Sequence, residues 1–114
     1  MKLINDTGSI CIDVKVPGPI GRARGLLGTK APPASGRGIL LKGGQIHTFG
    51  MRYTIDVVHL DRAGKVINIR SMEPNRLGRR ERGTKRVLEL ADGEAARIQL
   101  HKGMSLLLQE GHCP

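Results

Sequence analysis

Between Ile46 and Asp61 the chain reads Ile-His-Thr-Phe-Gly-Met-Arg-Tyr-Thr-Ile-Asp-Val-Val-His-Leu-Asp, and His47, Arg52, Asp56 and His59 interrupt a run that is otherwise rich in apolar residues. Polar groups that enter a core must find partners, so this block is either a hydrogen-bond network or a site. If the stretch is extended, His47, Phe49 and Met51 project to one side and Thr48, Gly50 and Arg52 to the other. An imidazole beside a phenyl ring and a thioether would stand in a low-polarity wall, where desolvation lowers its pKa. That suits a general base or a ligand contact; the bland alternative is a buried histidine satisfied by a carbonyl or carboxylate. Asp56 is costly inside a strand unless Arg52, His59 or backbone amides pair it. Glu89, flanked by Leu88 and Leu90, can offer a second carboxylate to the same region. The candidate ligand-binding set is therefore His47, Phe49, Met51, Arg52, Asp56 and Glu89.

Other chemistries find less support. The sequence has no His-x-His, no close cysteine pair and no His-Glu-x-x-His, so no metal site is expected. Ser9, Ser35, Ser71 and Ser105 lie in no nucleophile-elbow context. Gly36-Arg37-Gly38 and Lys42-Gly43-Gly44 lack the strand-to-helix setting of a phosphate cradle and read as turns. No cofactor is indicated.

Nineteen Lys and Arg against ten Asp and Glu give a formal net charge of +9, which favours phosphate-rich or acidic partners. The excess gathers in two stretches. Gly21 to Lys42 carries Arg22, Arg24, Lys30, Arg37 and Lys42 with no acid, and Arg70 to Arg86 carries seven basic residues against Glu73 and Glu81. Two such stretches can converge on one face or remain ordinary solvated loops. Stacking aromatics are missing, since the chain has one Phe and one Tyr, so only weak, salt-sensitive backbone binding to nucleic acid is credible. Cys11 and Cys113 are too few for a disulfide framework; a terminal clamp between them is geometrically possible, but free thiols in a reducing compartment are the expected state. With Asp6 and Asp13 before Pro19 there is no export signal, and no window reaches the ~20 apolar residues of a membrane span. The expected location is the cytoplasm.

These residues need elements to position them. At 114 residues the chain is expected to be one domain, 1–114. Ser9 to Val16 alternates as a strand with Ile10, Ile12, Val14 and Val16 on one face and Cys11 on the other, closed by Pro17-Gly18-Pro19. Ile20 to Leu27 reads as a short helix, 29–38 as a flexible basic loop, and Ile39-Leu40-Leu41 as a strand before a Gly43-Gly44 turn. Ile55 to Leu60 is apolar on both faces apart from Asp56 and His59, as a central strand should be. Asp61-Arg62-Ala63-Gly64 then predicts a tight hairpin into Lys65 to Arg70. A second flexible basic loop is expected over 71–85, a strand over Arg86 to Leu90, a helix of one or two turns over Glu94 to Leu100, and a last strand over Met104 to Gln109. The fold class is mainly β, a sandwich or a barrel-like, jelly-roll-like domain with one or two short helices.

Several separate motifs, Arg24-Gly25-Leu26-Leu27-Gly28, Gly38-Ile39-Leu40-Leu41, the His47 block and Val87 to Ala96, occur in an order and spacing that resembles the bacterial and archaeal domain-of-unknown-function 192 family. The resemblance runs from about Arg22 to Met104 and implies a compact, mainly β domain; it implies no established activity. Where that family usually has Phe-Pro after the arginine, this chain has Tyr53-Thr54, and where it often has an apolar residue this chain has His59. The first departure removes a rigid proline and the second adds a titratable ring.

The reading that these features favour is a small soluble binding or accessory module for an anionic small molecule or acidic partner. A hydrolase or isomerase using His47 with Asp56 or Glu89 as acid and base is the alternative, and a weak non-specific nucleic-acid binder the third.

Overall fold

A computed structural model of the protein describes residues 1–18, 30–44, 46–79 and 81–114. The alternation after Ser9 becomes a strand, Cys11–Lys15, that buries Ile12 and Val14 and leaves Cys11 and Asp13 on its half-covered face. It is β2, because a strand without an expectation precedes it: β1, Lys2–Asn5, pairs antiparallel with β2, placing Leu3 opposite Ile12. The others are β3 (Arg37–Lys42), β4 (Ile55–Leu60), β5 (Val66–Met72), β6 (Arg86–Ala91) and β7 (Leu106–Gln109). The helix expected over Ile20 to Leu27 falls outside the described residues.

The strands form one sheet in the order β5-β4-β6-β3-β2-β1-β7. Every neighbouring pair is antiparallel except β2 and β3. Residues 16–36 join that parallel pair, a length that suits the crossover such a pair requires. The expectation of a mainly β domain holds. Its architecture is a single curled sheet, not closed into a barrel, whose edge strands meet at one corner. There Val66 N–H donates to Met104 O (2.7 Å), Gly103 N–H to Val66 O (2.9 Å) and Leu106 N–H to Gly64 O (2.9 Å).

Both faces of the sheet carry apolar packing. On the inner face Leu3, Ile12, Leu40, Val58, Leu88, Leu90 and Leu106 meet Ala95 and Leu100. On the outer face Leu41, Ile55, Val57, Val87 and Met72 are covered by Ile46, Met51 and Tyr53. All of β4 is consequently buried, which accounts for its lack of alternation.

The hairpin after β4 forms as its sequence predicts. Asp61 Oδ1 accepts from the Ala63 and Lys65 amides, each at 2.9 Å, and Gly64 takes φ 90°. The helix after β6 forms at the lower end of the expected one or two turns: α1 spans Glu94–Arg97 and stops before Leu100, because Gln99 adopts a left-handed φ of 63° and turns Leu100 into the core. Arg37 and Gly38, expected in a loop, open β3, and Ser71 and Met72 close β5.

One expectation is overturned. Cys11 and Cys113 are not free thiols but a disulfide, with Cα atoms 5.8 Å apart. The tail after β7 returns to β2, where the Cys113 amide also donates to Asp13 Oδ1 (2.9 Å). Among the described residues no helix is long and apolar enough to cross a membrane.

Candidate functional site

The His47 block is built around Thr48, which is fully buried. Its hydroxyl donates to Glu73 O (2.5 Å) and accepts from the Arg76 amide (2.8 Å), while its own amide donates to Arg76 O (2.8 Å). Gly78 N–H donates to Ile46 O (2.7 Å) and the Gly50 amide to Asn75 Oδ1 (2.9 Å), so residues 46–50 and 73–78 form one doubly tied tip over the outer face.

That tip breaks the extended geometry on which a continuous wall depends. Met51 N–H bonds back to Thr48 O at 3.1 Å and Gly50 takes φ 80°, so the chain turns between Phe49 and Met51. Met51 enters the outer core, whereas His47 and Phe49 remain outside it and stack with ring centroids 5.2 Å apart and planes 25° from parallel. Phe49 is 52% exposed. Leu77, 64% exposed, stands directly across from His47 in an isolated antiparallel bridge and shares its side of the backbone pair. Arg52, at the end of the turn, is exposed.

The two carboxylates of the candidate set lie elsewhere, on opposite faces. Asp56 sits opposite Leu90 on the inner face, and its Oδ2 accepts from the Ala95 amide in the first turn of α1 at 2.9 Å. Glu89 sits between Val57 and Ile39 on the outer face and is buried. The structure thus joins His47 to Phe49, sends Met51 to the core, and separates Asp56 from Glu89.

Two polar clusters escaped the candidate set. Buried Glu94 links α1 to the chain before β3: Oε2 accepts from the Gly36 amide (2.5 Å) and Arg97 Nη2 (2.9 Å), and Ser35 Oγ stands 3.4 Å away. The Arg97 guanidinium, ahead of the Gly36 amide, holds this carboxyl below the usual glutamate range. The second cluster surrounds His59, which is buried with Nδ1 3.2 Å from Thr84 Oγ1. Glu81 Oε1 beside it accepts from Asn68 Nδ2 (2.9 Å) and Arg70 Nε (2.7 Å), and these bonds depress the Glu81 pKa. Burial pushes the His59 pKa down. A titratable residue in a buried strand was the available signal for His59; its hydrogen-bond partner Thr84, 25 positions further on, gave none.

A curled sheet with an aromatic-tipped turn on its outer face defines a small mainly β domain, in which the described residues form no recognisable catalytic constellation. The chain belongs to the domain-of-unknown-function 192 (DUF192) family, described as an "Uncharacterized ACR", whose model matches residues 4–108. No curated protein matches it. Among solved structures it is similar to a protein of unknown function from Novosphingobium aromaticivorans DSM 12444, with 16% identity and a TM-score of 0.78 over 94% of this chain and 82% of that one. It is also similar to a "putative transcription regulator" from Sinorhizobium meliloti 1021, with 20% identity and a TM-score of 0.75 over 93% of this chain and 89% of that one. At these identities both likenesses concern the fold.

Proposed function

We propose that this domain is a binding module that takes an anionic small molecule or an acidic partner on the tip formed by residues 46–53 and 73–79. One observation carries the reading: the chain's single phenylalanine is half exposed and stacked on His47, with Leu77 beside the pair. A protein with so little aromatic surface has strong reason to bury it, and exposed apolar groups among cations suit contact with a partner. Among the described residues Arg52 and Arg79 make no ion pair, which leaves their charge for an incoming anion. Proton transfer by His47 with Asp56 or Glu89 is less well supported, because the carboxylates occupy opposite faces and Asp56 is engaged by a backbone amide. For location, the disulfide supports an oxidising compartment over the cytoplasm.

The test is a titration of isotope-labelled protein with citrate, pyrophosphate and an acidic peptide, followed by amide chemical shifts. Saturable shifts are expected along 46–53 and 73–79, weakened in Phe49→Ala and Arg52→Ala. Unperturbed tip amides with all three probes would refute the reading.

A further inference from the structure

A concave surface lies on residues that the tip does not use. The disulfide, the Cys113 amide bond to Asp13 and the 3.5 Å approach of His112 Nδ1 to the same carboxylate hold the tail against β2. Opposite the tail runs the Pro32-Pro33 segment, and the two enclose a groove of about 760 Å³. Its apolar lining includes Pro32, Pro33 and Ile39, its cations are Lys15 and Arg37, and the His112 imidazole also faces it.

The charges are not evenly spent. Asp13, the acidic side chain lining the groove, already accepts from the Cys113 amide and faces His112. Lys15 and Arg37 are exposed and, among the described residues, make no ion pair; Arg37, paired across from Asp13 in the sheet, also acts on that carboxylate through space, which leaves Lys15 as the less engaged of the two. An apolar trough with two exposed cations outside any ion pair complements a ligand with one anionic end and an apolar body, since a guanidinium and an ammonium bind carboxylate oxygens while the trough removes hydrocarbon from water.

We propose that this groove is a binding site for an amphipathic carboxylate, its head held by Lys15 and Arg37 and its chain laid over Pro32, Pro33 and Ile39. The ordered tail supplies one wall, so the disulfide acts here as a part of the site as well as a staple.

The experiment uses the oxidised full chain and decanoate below its micellar concentration, with decanol and acetate as separate probes of the apolar body and the head. Saturable decanoate binding is expected, with amide shifts at Lys15, Ala34, Ile39 and Cys113. Affinity should fall about tenfold in Lys15→Ala/Arg37→Ala, the loss expected for two partly exposed charge contacts, and should not change in Phe49→Ala. Decanol and acetate should each bind more weakly than decanoate. The proposal is overturned if the double variant binds decanoate as tightly as wild type, if decanol matches decanoate, or if the shifts fall on the 46–53 tip. The last outcome would support the tip as the anion site while removing this one.

Discussion

Asp56 and His59 lie three residues apart on β4, and both are buried. Asp56 is accommodated in the interior by accepting the Ala95 amide. Asp56→Ala strands that donor, and the expected cost is about 1–3 kcal/mol in denaturant unfolding, against almost nothing for exposed Arg52→Ala. Burial disfavours a charged His59, so its pKa in the fold lies below the ordinary 6.5. The unfolded chain takes up this proton near pH 6.5 while the folded one still resists it. Stability is therefore full above that pH and falls as the pH drops below it. Glu81 and Glu94, whose folded pKa values are lowered from 4.5, extend the loss in the same direction at more acid pH. A His59→Asn variant should lack the first part of the decline while keeping the second, measured as melting temperature against pH. The sequence made the burial of Asp56 legible, because a single carboxylate in a run of Val, Ile and Leu has nowhere else to go. It did not show that the partner would be an amide 39 positions away, since no periodicity encodes a tertiary contact.

At the scale of elements, legibility followed local chemistry. Asp61 and Gly64 specify their hairpin through bonds that span four residues, so the sequence contained the whole instruction. β1 went unassigned because Lys2–Asn5 offers two apolar residues and no turn signal before it; its pairing with β2 and β7, not its own pattern, makes it a strand. The helix expected over Glu94 to Leu100, of one or two turns, forms as one: composition allows it to run on to Leu100, but the need to bury Leu100 bends the chain at Gln99. Gly64 has a role beyond its turn. Its φ of 90° already excludes most side chains, and a β-carbon there would collide with the Leu106 carbonyl, whose amide bonds back to Gly64 O. Gly64→Ala should cost about 2 kcal/mol or more, and hydrogen exchange should accelerate at the Leu106 and Val66 amides, where the edge strands meet. Unchanged exchange there would separate the hairpin from the corner.

The whole molecule is organised by a bond between residues 102 positions apart. Nothing near Cys11 or Cys113 announces it, because their proximity comes from β1 lying between β2 and β7 and from the tail returning to β2. Its mechanical consequence is that the covalent path between the chain's ends is short. A load applied at Met1 and Pro114 would travel through the first ten residues, cross from Cys11 to Cys113, and leave nearly the entire sheet unstretched. Only β1 lies in the line of force, so single-molecule extension of the oxidised chain should peel that strand from between β2 and β7 and stop at an end-to-end length of about 45 Å. After reduction, the same two handles should draw out a contour of about 400 Å. Equal lengths in the two states would show that the cysteines are not joined.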